Sequence, residues 1–129
     1  MYSSAPSAVT VEPVVTPHQR RAFLLFPWRI YKGESRWVPP IVSERAARLD
    51  RRQNPLFQYG EAAPFVAVRD GRVAGTIAVA VDRHANQLSG EQVAIFGFFE
   101  CMDDGAVAQA LFDRAVAWAR ARGLATLRG

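Results

Sequence analysis

The sequence predicts a mixed α/β fold, of the α+β kind. Three observations carry that prediction. Asp70-Gly71 sits between two β-type runs, as expected of a tight hairpin. Val93–Cys101 is a near-continuous apolar run of strand length. Residues 105–122 then place Ala108, Leu111, Phe112, Ala115, Val116 and Ala119 on one helical stripe, with Gln109, Asp113 and Arg120 opposite. At 129 residues, 50% hydrophobic and 22% charged, the chain suits one globular domain with a real core.

The elements follow in order. Residues 1–7 read as a small polar tail, and 8–129 as a single domain. Valines 9, 11, 14 and 15 predict a first strand over Ala8–Val15, with Pro13 marking an edge or bulge. Thr16-Pro17-His18-Gln19 starts a helix: Thr16 caps, Pro17 takes the first helical position and Gln19 completes a capping box. Phe23, Phe26 and Ile30 continue at helical spacing, and Pro27 is expected to kink or restart the helix.

Trp37-Val38-Pro39-Pro40 must be extended, because a residue before proline avoids the helical region. Residues 41–52 predict a second, shorter helix with Arg45, Arg48, Arg51 and Arg52 on its outer face. Asn54-Pro55 and Tyr59-Gly60 punctuate a loop. Pro64–Arg69 is a strand, and Val73–Asp82 is its return, with a bulge at Gly75. His84–Glu91 reads as a polar loop, and Val93–Cys101 as a strand buried on both faces. Gly123 ends the last helix, and Leu124–Leu127 begins another strand. This order reads as the first half to two-thirds of a larger mixed sheet, incomplete at the C-terminus.

Composition excludes several classes. A single cysteine gives no internal disulfide framework, and with two histidines it leaves no zinc-ligand spacing, so no metal site is expected. No apolar stretch approaches the roughly 18–20 residues of a membrane helix. Residues 1–8 lack the basic and apolar regions of a signal peptide. A cytoplasmic protein with no membrane partner is therefore expected. Sixteen basic against twelve acidic residues give +4, which suits anionic ligands such as nucleotides or coenzymes. All the basic residues but Lys32 are arginines, yet aromatic and basic residues do not interleave. Nucleic acid is accordingly not an expected partner, although arginine-driven binding would reveal itself by a steep salt dependence.

The stretch Pro64–Gly129 resembles the core of the GNAT superfamily, the acyl-CoA-dependent N-acyltransferases. The hairpin "RDGRVAGTIAVAVD", the strand "QVAIFGFFEC" and the helix end "AVAWARARGLATLRG" carry the resemblance. The pair "RRAFLLFPWRIY" and "WVPPIVSERAARLD" falls where that fold has its first two helices. With "NPLF", "GEAAPFVA" and "FGFFEC", the chain is similar to a bacterial subfamily of acyltransferase-like proteins. The resemblance spans nearly the whole chain. It implies a GNAT-like mixed, mainly antiparallel sheet with flanking helices, with further strands beyond Gly129. It also implies transfer of an acetyl or other acyl group from acetyl-CoA or another acyl-CoA to a small-molecule or peptide amine.

The resemblance further implies a pyrophosphate seat at a helix N-terminus, on an Arg/Gln-x-x-Gly-x-Gly/Ala loop. The matching positions are Asp103, Asp104, Gly105, Ala106, Val107 and Ala108. Ala108 fits the pattern, Ala106 replaces a glycine, and Asp103 stands at the arginine position. An Asp there caps the helix, and two carboxylates repel a diphosphate, so the seat is weakened while its dipole remains. Asp104, Gly105, Ala106, Val107 and Ala108 are the expected phosphate-side residues. Backbone N–H groups around Phe99, Cys101 and Met102 are expected to hold the pantetheine and polarise the carbonyl.

Strict alternation puts Ala94, Phe96, Phe98 and Glu100 on one strand face, and Val93, Ile95, Gly97, Phe99 and Cys101 on the other. Glu100 is the candidate catalytic residue, since a carboxylate beside phenylalanines suits a general base for the amine. The competing reading is a strand-end Glu paired with an arginine. Cys101 reads as a buried structural thiol rather than a nucleophile, and His18 and His84 as surface residues. The arginines at 45, 48, 51 and 52 read as a solvated face, with a coenzyme phosphate as the alternative. Trp28, Trp37 and Trp118 read as core or lid, and Tyr31 and Tyr59 are candidates to line an acceptor pocket. A second function, a non-catalytic GNAT-like binding or assembly module, follows from the degenerate coenzyme loop. The terminal strand's open edge is expected to seek another chain, so a homo-oligomer is among the expected partners.

Overall fold

A computed structural model describes residues 8–129, so the expected tail at 1–7 lies outside the described residues. The elements run β1 (Thr10–Pro13), α1 (Pro17–Ile30), α2 (Val42–Leu49), α3 (Leu56–Tyr59), β2 (Gly60–Arg69), β3 (Arg72–Asp82), α4 (Arg83–Ser89), β4 (Val93–Cys101), α5 (Gly105–Ala121) and β5 (Thr126–Arg128). One five-stranded sheet takes the order β1-β2-β3-β4-β5. All neighbours are antiparallel except β4 and β5, which are parallel and joined through α5. The mixed, mainly antiparallel sheet is therefore present.

The helix starts follow their chemistry. Thr16 Oγ1 accepts the Gln19 N–H at 3.1 Å, and Gln19 Oε1 accepts the Thr16 N–H at 3.0 Å. Pro27 does not restart α1. The helix runs on through it to Ile30, and the Tyr31 N–H donates to the Pro27 carbonyl at 2.9 Å. Pro27 is itself buried, so packing compensates the backbone bond its ring cannot make. The expected polar loop after β3 is instead a helix. Asp82 caps α4 by accepting the Ala85 N–H at 3.0 Å, and Gly90 ends it in the left-handed region at φ 74°. The loop before β2 likewise contains the single turn α3.

Each sheet face has its own cover. On one face α5 lays Val107, Leu111, Ala115, Trp118 and Ala119 against Phe65, Ala67, Ile77, Val79, Val81 and Ala94. On the other, Phe23 and Leu24 of α1 meet Val66 and Ala78, with Ala46 and Leu49 of α2 at the margin. The expectation that β4 is buried on both faces is corrected: Val93 and Ala94 are buried, but Ile95 is 43% exposed. Alpha-1 covers β2 and β3, with α2 at its margin, and leaves Ile95 of β4 open.

Two bulges bend the sheet. Opposite Ala67 and Val68, β3 carries Ala74 as an extra residue, beside the predicted Gly75. Between Thr76↔Glu100 and Ala78↔Gly97, β4 supplies Phe98 and Phe99 against Ile77 alone. Phe98 adopts φ 52°, a left-handed conformation rare for a bulky residue. The fully buried Thr76 holds it there, its hydroxyl donating to the Phe98 carbonyl at 2.6 Å.

Candidate active site

The β4 bulge decides which side chains meet. An extra residue reverses the alternation beyond it. Phe98 therefore packs with the α1 cluster, while Phe99 and Cys101 join the α5 core with Ala94 and Phe96. The predicted grouping of Glu100 with Ala94 and Phe96 is corrected accordingly: Glu100 turns to the α1 side.

There it meets Tyr31. The phenol donates to Glu100 Oε2 at 2.6 Å. That hydrogen bond, then partial burial and the carboxylate's charge, hold the Tyr31 phenol above its ordinary pKa, so it remains a donor. Tyr31 stacks on Trp37 with ring centroids 5.4 Å apart, and Trp37 meets Trp28 edge-on at 5.5 Å. Phe98 lies 5.5 Å from Phe23 and has the Arg45 guanidinium over its ring at 4.8 Å. Arg45 Nε donates to the Leu24 carbonyl at 3.3 Å. Burial lowers its pKa, and the Glu100 carboxylate opposes that shift. Thus Arg45 leaves the predicted solvated face to attend the site, whereas Arg48, Arg51 and Arg52 stay exposed.

Sequence alone does not pair a hydroxyl with Glu100, and Tyr31 reads there only as a candidate pocket residue. Its place at the proline-containing end of α1 is the available signal. Tyr59 lies elsewhere, with its ring 5.0 Å from that of His84.

The predicted coenzyme residues cluster at the far end of β4. The Met102 N–H is engaged by the Ala74 carbonyl at 3.0 Å, and strand alternation turns the Cys101 N–H to the other edge. Along Phe96–Cys101, β3 is the sole strand neighbour of β4 among the described residues, because β5 pairs only with Val93, Ala94 and Ile95. The Phe99 ring packs on Phe112, centroids 4.7 Å apart. The Cys101 thiol lies 3.8 Å from the Asp104 carbonyl. Burial, with the Asp104 charge, raises its pKa and keeps it protonated, as suits a structural thiol.

Asp104 caps α5 through Oδ1, which accepts the Ala106 N–H at 3.0 Å. Its other oxygen pairs with the Arg69 guanidinium. The Val107 and Ala108 N–H groups both reach the Asp104 carbonyl, at 3.1 and 3.2 Å. Gly105 and Ala106 are exposed, whereas the Val107 side chain is buried in the core. The helix end thus keeps its dipole while Asp104 occupies one of its leading donors.

No protein-family profile matches the chain. Two curated relatives do. A bacterial ceramide synthase of Caulobacter vibrioides is 34% identical over 95% of this chain and 32% of its own length. Protein YghO of Escherichia coli is 29% identical over 92% of this chain and 30% of its own. The chain spans about a third of the length of these relatives. Among solved structures, a tandem GNAT protein from the clavulanic acid biosynthesis pathway superposes with a TM-score of 0.70, at 18% identity, over 93% of this chain and 35% of that one. The chain has a GNAT-like fold. An N-acetyltransferase from Staphylococcus aureus (TM-score 0.65, 18% identity, 95% and 73% coverage) shares this GNAT-like fold. So does FeeM, an N-acyl amino acid synthase from uncultured soil microbes (TM-score 0.60, 15% identity, 94% and 70% coverage). In the GNAT-like frame, Glu100 lies just past the β4 bulge on the α1 side of the sheet, and α5 covers the opposite side.

Proposed function

We propose that this chain forms part of an acyl-CoA-dependent N-acyltransferase that passes an acetyl or other acyl group to an amine acceptor. The observation that carries the reading is the Tyr31–Glu100 pair, set just past the bulge of β4. A carboxylate held by a protonated phenol is a fixed proton acceptor. The acceptor amine attacks the thioester carbonyl directly. The C–N bond forms, the C–S bond breaks and the coenzyme leaves as its thiol. The proton lost by the amine passes to Glu100, directly or through one water, and is handed on through water to the departing sulfur, which restores the carboxylate. Tyr31 positions that carboxylate. The open edge of β4 near Phe99 and Cys101 would hold the pantetheine arm, and Gly105 and Ala106 would face the phosphates.

The names of the relatives support an amide product. Ceramide and N-acyl amino acids both carry an acyl chain on nitrogen. An acyl-CoA substrate also places the reaction in the cytoplasm. The test is coenzyme thiol release from acetyl- and long-chain acyl-CoA by the intact protein across an amine panel. Release that depends on both substrates supports the reading. Release that is absent across the panel counts against it.

One observation favours a second reading. Asp104 already takes the Ala106 N–H and brings a negative charge to the phosphate seat. A non-catalytic module with a decayed coenzyme loop fits that feature. Thermal unfolding separates the two, since a ligand that binds the folded state raises the melting temperature with concentration. Acyl-CoA raises it in the first reading and leaves it unchanged in the second.

A further inference from the structure

The start of α1, the end of α2 and the beginning of β2 enclose a cavity that acyl transfer does not use. Its volume is about 350 Å³, within the range of small-molecule sites. It lies against the first turn of α1, whereas Tyr31 and Glu100 stand at the other end of that helix, roughly 20 Å away. Val14, Leu49 and Phe57 give it apolar walls, and Arg20 and Arg51 border it. No carboxylate lines it.

The fold leaves both guanidiniums available. Arg20 and Arg51 are exposed at the rim, and neither side chain makes a hydrogen bond or ion pair among the described residues. Arg51 meets only the Phe57 ring, 5.9 Å from its centroid. The neighbouring acid, Asp50, is held by its own loop. Its carboxylate accepts the Arg52 N–H at 2.8 Å and the Gln53 amide at 2.9 Å. Those two hydrogen bonds lower its pKa most, and the Arg20 charge adds less. Glu61, beside Ala62 on β2, is already shared by Arg122 and Arg83. The first turn of α1 carries no acid, so its dipole adds to the positive side.

The wall also offers a backbone donor. The Val14 N–H donates to the Pro64 carbonyl at 3.0 Å, so Pro64 turns its backbone toward β1. Alternation turns the N–H and carbonyl of Ala62 to the same edge. The ladder between β1 and β2 ends at Pro13↔Phe65, and the chain leaves for α1 after Val15. Ala62 lines the cavity and has no strand partner on that edge among the described residues.

We propose that this cavity binds a carboxylate carried on an apolar body. The carboxylate meets Arg20 and Arg51, with the Ala62 N–H as a further donor, and the apolar body lies along Leu49 and Phe57. Guanidinium and carboxylate are matched in charge and planar geometry. The site is separate from Glu100, and the proposal does not depend on the acyltransferase reading.

Calorimetric titration of the intact protein with octanoate tests it. Octanoate should bind saturably, at millimolar concentration or below. Octanamide keeps the chain and loses the charge; acetate keeps the charge and loses the chain. Each should bind at least tenfold more weakly. The double variant Arg20→Gln, Arg51→Gln should also lose at least tenfold, with little change in melting temperature, because the fold uses neither guanidinium in a hydrogen bond. Arg20→Gln alone should lose severalfold, which keeps the test open if the double variant does not fold. Arg48→Gln, exposed on α2 outside the cavity, and Glu100→Gln should bind octanoate as the wild type does. Three results would overturn the proposal: no saturable octanoate binding, equal binding of octanamide, or undiminished affinity in the arginine variants. A loss of affinity in Glu100→Gln would overturn it too, by moving the ligand to the other site. Coenzyme thiol release tests the acyltransferase reading separately, and its absence would leave octanoate binding untouched.

Discussion

Tyr31, at the end of α1, donates a 2.6 Å hydrogen bond to Glu100 Oε2, two residues beyond the left-handed Phe98 of β4. This bond joins the first helix to the one strand position that the bulge turns toward it. Tyr31→Phe deletes the donor and keeps the ring stacked on Trp37. It should lower stability by about 1 kcal/mol, read by chemical denaturation. If Tyr31 positions the base, the variant should also lower kcat/KM about tenfold and shift its pH profile. An unchanged profile would assign Tyr31 a purely structural part.

Two glycines are required by close approach rather than by backbone freedom. A Cβ on Gly60 would stand 1.8 Å from the Val81 carbonyl oxygen, a backbone atom that cannot turn away. A Cβ on Gly75 would meet Leu111 Cδ1 at 2.8 Å, Val107 Cγ1 at 3.0 Å and the Glu100 carbonyl at 3.1 Å. Gly75→Ala should cost about 1–3 kcal/mol through overpacking of α5 on the sheet. Gly60→Ala should cost more than Gly75→Ala, to the point of little folded protein. Thermal unfolding of the pair checks the order.

Glu61 ties three elements together. It accepts from Arg122 Nε at 3.1 Å and from Arg83, linking β2 to the end of α5 and the start of α4. Arg122 first and Arg83 second lower its pKa below the ordinary carboxylate range. A depressed folded pKa stabilises the fold above the ordinary carboxylate pKa, and that contribution disappears as pH falls through the folded value. Glu61→Gln should therefore lose stability at neutral pH, by no more than about 1 kcal/mol for so exposed a network. The difference from wild type should vanish in acid. Denaturation midpoints across the acid range measure both arms.

Asp104 caps α5 and pairs with Arg69, and on the acyltransferase reading it does so at the expense of the phosphate seat. Asp104→Ala removes the α5 cap and the partner of Arg69, and should cost about 1 kcal/mol or somewhat more. It also frees the Ala106 N–H and removes one negative charge. On the acyltransferase reading, the variant should bind acyl-CoA several-fold more tightly even though it unfolds more easily. Calorimetric titration beside an unfolding curve tests this. Binding that weakens in parallel with stability would instead make the capped helix end the competent form.

Much of this fold is legible in the sequence, and the misses have physical causes. The capping box at Thr16–Gln19 and the hairpin at Asp70-Gly71 are local signals that lie where their residues place them, and the α5 stripe holds at Leu111, Ala115 and Ala119 but turns to bury Val107 and Trp118 instead of Ala108 and Val116. Alpha-4 escapes a hydrophobicity reading because no residue in it is buried; only the Asp82 cap and Gly90 announce it. Pro27 breaks a helix by local rules, but here it is fully buried and the helix runs on through it. The site is less legible. The β4 bulge depends on Thr76, 22 positions away in sequence, whose hydroxyl anchors Phe98. Without that contact, alternation assigns Glu100 to the wrong face and leaves Tyr31 without a partner. Long-range hydrogen bonds of this kind leave no periodicity to read.

The most direct test of the account is the pH dependence of coenzyme thiol release, measured on the intact protein and on Glu100→Gln with a saturating amine. The account predicts amine-dependent release in the wild type and a loss of at least a hundredfold in the variant at every pH tested, consistent with removal of a general base. Amine-dependent release that Glu100→Gln leaves intact would contradict the assignment of Glu100.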